Sequence, residues 1–191
     1  MLPIFIFLIS SLSCIGTAKF IKNDNTKIID IVHNNFKIIK YHYISDFLVF
    51  LQLLFGFVKL DIYTIKEIFL IMSVIQILKS ICSMSTVLPP LKNYRDKIRF
   101  GGINGSGTEY IFSGHASYSA IFSLYLYSKN IVSLYILFLY NFISQFLIIV
   151  SRNHYTVDVI LAWIISSSLY TNLQLCKRDE YCFHILQQIL E

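Results

Sequence analysis

Six apolar runs, each close to the length of a bilayer-crossing helix, dominate this 191-residue chain. They are Met1–Ala18, Ile44–Leu60, Thr64–Ile81, Tyr110–Ser128, Ile131–Val150 and Tyr155–Leu173. A spanning helix needs about 20 residues. Within a bilayer only helices and closed barrels satisfy their own backbone polar groups. A barrel would need alternating segments of about 10 residues, which are absent here. The runs therefore predict an all-α fold, a polytopic membrane helix bundle of about six transmembrane helices, forming a single domain over residues 1–191. Composition agrees. Charged residues make up 14% of the chain, against about 25% in a soluble domain, and mean hydropathy is +0.62. The first run has no basic n-region, so it is expected to stay as a first helix rather than act as a signal peptide. Lys59, Lys66, Glu67 and Lys79 lie near the ends of their runs, where long side chains reach the interface.

The net charge of +5 sits in short loops between apolar runs. That placement suits anionic head groups or phosphorylated substrates and argues against nucleic acid. The cysteines Cys14, Cys82, Cys176 and Cys182 form no CxxC pair, so no zinc site is expected. Cys176 and Cys182 follow the last run and are expected to be thiols, with lipidation as the alternative. The stretch GGINGSG at 101–107 reads as a flexible loop, because no strand–turn–helix context surrounds it.

Alternating spans put the loops 19–43, 82–109 and 151–154 on one side of the membrane. His115 and His154, far apart in sequence, are thereby brought to one depth. The segment Ser151–Asp158, SRNHYTVD, carries the most chemistry. His154 and Asp158 are four residues apart, on one face of a helix. A carboxylate beside an imidazole fixes its tautomer and stabilises its charged form. Such a histidine can attack phosphorus and carry the phosphoryl group covalently. Arg152 offers a fork of donors suited to phosphate. In FSGH, residues 112–115, Gly114 lets the backbone approach a ligand. Ser113 can donate to phosphate oxygen, and His115 can serve as general acid and base. Lys79, in KSICSMSTVLPP, can reach a phosphate or snorkel, and Pro89 and Pro90 are expected to stop its helix. Glu109 can tune a histidine or stand in solvent. His33, His42 and His184 read as solvent-side loop or tail residues. No metal and no cofactor is expected, since Arg152 and Lys79 suit an anion and carboxylates are few.

Together these segments resemble the sphingomyelin synthase family, in particular its inositol phosphorylceramide synthase branch, within the type 2 phosphatidic acid phosphatase superfamily. Ser151–Trp163 resembles the family's last motif almost residue for residue, Glu109–His115 its middle motif, and Lys79–Pro89 its first. The likeness covers about residues 70–165. It implies that His154 is the nucleophile, Asp158 its orienting carboxylate and His115 the acid–base. It implies transfer of a phospho-head group from a glycerophospholipid to ceramide, with release of diacylglycerol and no metal. Membrane lipids would be the partners; the oligomeric state stays open, a homo-oligomer being one alternative. The compartment would be Golgi, ER or plasma membrane, with a lumenal or exoplasmic active site. Three departures bear on head-group choice. Lys79 stands for the family's arginine, Glu109 for its aspartate, and Gly107–Thr108 for a Cys-Gly pair.

Charge distribution opposes that orientation. The catalytic-side loops carry ten Lys/Arg (Lys19, Lys22, Lys27, Lys37, Lys40, Lys92, Arg95, Lys97, Arg99 and Arg152) and the opposite side five (Lys59, Lys66, Lys129, Lys177 and Arg178). The positive-inside rule would turn the catalytic side to the cytosol. The resemblance is given the greater weight, with some of these charges assigned to substrate phosphate. Two competing functions use the same features. A lipid phosphate phosphatase would use water as acceptor, and a non-catalytic lipid-binding protein would be expected to break the His115, His154, Asp158 set. Choline, ethanolamine and inositol phosphate head groups all remain open.

Overall fold

The computed structural model describes residues 2–18, 29–38, 42–85 and 113–190. All regular structure among them is helical. The elements are α1 (Leu2–Ala18), α2 (Ile31–Asn35), α3 (His42–Lys59), α4 (Ile62–Ser85), α5 (Gly114–Ser128), α6 (Leu134–Val150), α7 (Thr156–Cys176) and α8 (Glu180–Leu190). The six apolar runs correspond to α1 and α3 to α7. The short helices α2 and α8 were not expected from the sequence, because each is too short and mixed to stand out against the spans. Glu109, residues 101–107, Pro89 and Pro90 fall outside the described residues.

One described helix, α7, is both long and apolar enough to cross a membrane, while Leu2–Leu12 and α6 are shorter apolar helices. The helical fold is as expected, while by length and apolarity one described helix, rather than six, qualifies as a span. Several helices nonetheless present apolar side chains outward. Phe138 on α6 is 70% exposed, and Phe47 and Phe50 on α3 and Ile160 and Ile164 on α7 are exposed as well.

The interior is unusually polar. Helix α5 runs through its centre, packed against α3, α4, α6 and α7. Its inner residues are small, and Ala116, Ser117, Ser119 and Ala120 are completely buried. Small residues let helices approach where no hydrophobic force drives them together. At Gly56 on α3 the backbone lies so near the buried Phe122 ring that a β-carbon there would overlap it. A hydrogen-bonded cluster joins three helices beside it. Gln52 donates to the Ser119 carbonyl at 2.9 Å and to Ser123 Oγ at 2.6 Å. Asn141 donates to Ser123 Oγ at 2.7 Å and accepts from Ser119 Oγ at 2.6 Å. Buried polar groups are tolerated when paired in this way.

The two ends of the bundle are tied differently. At one end Asp61, between α3 and α4, meets Lys129, between α5 and α6, at 3.2 Å. There Lys177 also pairs with the buried Glu67 at 2.6 Å, and Tyr125 donates to Glu67 at 3.0 Å. Cys176 and Cys182 form a disulfide that folds α8 back from α7, which corrects the expectation of free or lipidated thiols. They are six positions apart, close enough for a turn to bring the sulfurs together. The other end holds α2 and the turn between α6 and α7.

Candidate active site

The turn Ser151–Tyr155 places the central histidine. Arg152 adopts φ of 58°, in the left-handed region, and lets the chain reverse while Arg152 N and Asn153 N still donate to the carbonyls of Ile149 and Ile148. Asp158, one turn into α7, is 1% exposed. Its Oδ2 accepts from Tyr155 N at 2.9 Å and lies 3.5 Å from His154 Nδ1. The contact to the ring is an ion-pair distance rather than a short hydrogen bond. Nδ1 faces the carboxylate, which leaves Nε2 as the reactive nitrogen. One carboxylate thus caps its helix and orients the histidine.

Ser113 N donates to the Asp158 carbonyl at 3.1 Å, tying the start of α5 to the first turn of α7. Ser113 Oγ caps α5 by accepting from Ala116 N at 3.2 Å. His115 follows at the second position of α5, half-exposed. Its Nε2 lies 3.8 Å from Asp46 Oδ1 on α3. A pocket of about 390 Å³ gathers these groups, with Asp46, Gln76, Lys79, Gly114, His115 and His154 on its wall. Lys79 lies against Gly114, where an added β-carbon would sit in ordinary contact, 3.5 Å from Nζ. Two histidines, each beside a carboxylate, therefore share a pocket with one lysine. Such a pocket can hold a phosphate, present a nucleophile and exchange protons.

The sequence-derived residues divide into two groups. His115, His154, Asp158 and Lys79 converge. Ser113 is fully buried as a cap, and Arg152 turns away from the pocket. Its guanidinium donates to the carbonyls of His33 on α2 and of Phe36 just after it. Burial lowers its pKa, and Asp30 opposes that shift. Glu109 lies outside the described residues.

Sequence reasoning missed Asp46 and α2. Asp46 sits inside the second apolar run, where an ionisable side chain is itself a functional signal. His33 is no solvent-side residue. Its Nε2 lies 3.1 Å from both the Ile149 and the His154 carbonyl, and its ring packs on Tyr155. Asp30 accepts from Thr156 N at 2.7 Å and from Thr156 Oγ1 at 2.9 Å. Helix α2 thus clips the turn that carries His154. No local sequence signal links residues so far apart.

Residues 107–175 match the family described as PAP2 superfamily C-terminal. The matched stretch contains α5, α6 and nearly all of α7. It supports the type 2 phosphatidic acid phosphatase superfamily, and with it phosphoryl-transfer or hydrolase chemistry. A comparison with curated proteins gave no match. The lipid-related domain and the apolar α7 together support membrane association.

Proposed function

We propose that this chain is a membrane-embedded phosphotransferase, crossing the bilayer about six times, that moves a phospho-head group from a glycerophospholipid to ceramide. The observation that carries the reading is the pairing of His154 with the buried Asp158 in a pocket shared with His115 and Lys79. His154 Nε2 attacks phosphorus. The P–O bond to diacylglycerol breaks, and the departing oxygen takes a proton from His115. A phosphohistidine remains, with its charge balanced by Asp158. The ceramide hydroxyl then gives its proton to His115 and attacks phosphorus, and the P–N bond breaks. The ammonium of Lys79 stabilises the phosphoryl oxygens as charge builds on them. The head group is phosphocholine, phosphoethanolamine or phosphoinositol.

A second reading keeps His154, Asp158 and His115 and substitutes water for ceramide, giving a lipid phosphate phosphatase. The superfamily match favours it equally. The deciding experiment supplies fluorescent ceramide and mixed phospholipids to membranes containing the protein, with His154→Ala as control. A His154-dependent ceramide phospholipid, identified by mass spectrometry, supports the transferase. His154-dependent phosphate release from phosphatidic acid without that product supports the hydrolase. Near-normal activity in His154→Ala membranes would remove the nucleophile assignment altogether.

A further inference from the structure

A second cavity, of about 580 Å³, lies on the flank of the bundle between α5, α6 and α7. Its walls are apolar, with Phe142, Phe146, Ile160 and Trp163 prominent. It extends along α6 from Leu134 to Ile149, about 22 Å at 1.5 Å per residue. That is the length of a long acyl chain. The Ile149 end abuts the turn that carries His154, since His33 bonds to the carbonyls of both residues.

One side chain on this wall does not fit a purely apolar occupant. Gln145 is 7% exposed, and both its Nε2 and its Oε1 lack a hydrogen-bond partner. Its polar neighbours on the wall are satisfied, because Asn141 donates to Ser123 Oγ and to the Leu137 carbonyl. A buried carboxamide with both atoms unpaired needs a group that accepts from Nε2 and donates to Oε1. A secondary amide does both. An ester only accepts.

We infer that this groove is a berth for a ceramide-class lipid, with the N-acyl chain along α6 and the amide paired to Gln145. The inference rests on the reading of ceramide as phosphoryl acceptor and names where that acceptor waits. Gln145 lies six residues before Ser151, about 9 Å below the end of α6. The reacting hydroxyl of a ceramide is only a few bonds from its amide. A lipid held at Gln145 therefore sits short of His154 and must rise toward the turn to react. The berth serves loading, not the chemical step. Phosphatidylcholine, joined by esters and carrying no O–H or amide N–H, leaves Gln145 Oε1 unpaired and is held less well.

The test uses photoactivatable, clickable ceramide and phosphatidylcholine with His154→Ala protein in nanodiscs, so that labelling is read without turnover. Ceramide is expected to label α6 and α7 peptides, with unlabelled ceramide competing about tenfold better than phosphatidylcholine, the effect of one added hydrogen bond to a buried group. Gln145→Leu should cut ceramide labelling about tenfold while its melting temperature shows the bundle intact. An N-methyl ceramide, lacking the amide N–H, should lose the preference on otherwise unchanged protein. Equal labelling by ceramide and phosphatidylcholine, or labelling unaffected by both Gln145→Leu and N-methylation, would overturn the berth. If transfer to ceramide is never observed but Gln145-dependent labelling persists, the berth stands and the transferase reading falls. If transfer is observed but labelling is independent of Gln145, the transferase reading stands and the berth falls.

Discussion

Asp46 Oδ1 on α3 lies 3.8 Å from His115 Nε2 on α5, 69 positions later in the chain. The pair mirrors Asp158 and His154 across the same pocket. A carboxylate beside an imidazole selects its tautomer and holds the ring in place. Asp46→Asn is expected to lower kcat by about ten- to a hundredfold, less than the roughly 10²–10⁴ that a general acid–base group supplies. Asp46→Glu should recover part of the loss. Wild-type kcat in Asp46→Asn membranes would separate Asp46 from the chemistry.

Arg152 gives a test between two roles. As a phosphate ligand, its loss would raise KM for the donor lipid. As a clip between α2 and the His154 turn, its loss would lower kcat. The bonds to the His33 and Phe36 carbonyls predict the second outcome. Arg152→Lys and His33→Ala should each lower kcat about tenfold, equivalent to about 1.4 kcal/mol of barrier, with donor KM unchanged. Steady-state kinetics with varied donor lipid make the distinction.

Gly56→Ala should destabilise the bundle without touching the pocket. The new methyl meets the completely buried Phe122 ring, and overpacking of this kind costs about 1–3 kcal/mol. The melting temperature of the detergent-purified protein is the readout. A paired Phe122→Leu substitution should restore part of the loss by giving the methyl room.

Acid should loosen the end of the bundle opposite the pocket. Asp61 is held well below the usual carboxylate range, first by Thr64 N, whose effect outweighs the opposing desolvation with the help of Thr64 Oγ1 and Lys129. A folded-state pKa below the unfolded one means that ionised Asp61 favours the fold at neutral pH. That contribution fades as pH falls below about 4, where the unfolded chain takes up the proton first. The drop in melting temperature between about pH 6 and pH 3 should shrink in Asp61→Asn. An unchanged pH dependence would exclude Asp61 as a contributor.

The disulfide bears on membrane orientation. Cys176–Cys182 lies beyond α7, at the end away from His154, and disulfides persist in oxidising compartments. The excess of Lys/Arg on the catalytic side agrees with it. These two features predict a cytosolic catalytic end, the reverse of what the sphingomyelin synthase resemblance implies. In sealed vesicles with the cytosolic face outward, a tag fused after α8 should resist protease until detergent is added. Digestion without detergent would restore the lumenal orientation.

Much of the site was legible because its key spacing is local. His154 and Asp158 are one helical turn apart, and helix geometry alone brings them together. Convergence of His115 with His154 also followed from sequence, since alternating apolar runs put both at one end. Lys79 was open to two readings, because a lysine near a helix end suits a phosphate and the interface alike. Asp46 was visible as a charge inside an apolar run, but its partner was not. The contacts of α2 had no sequence signal, because Asp30 and His33 act on residues more than 110 positions away.

The sequence by itself determined the helices, their apolar character and the His154–Asp158 pair, because these depend on composition and on short-range periodicity. Tertiary structure decided which polar groups face one another. It turned Arg152 onto α2, spent Ser113 on a helix cap, set Asp46 beside His115 and left Gln145 unpaired in an apolar groove. The physical reason is that a side chain's role depends on which helix packs against it, and helix packing is a property of the whole bundle.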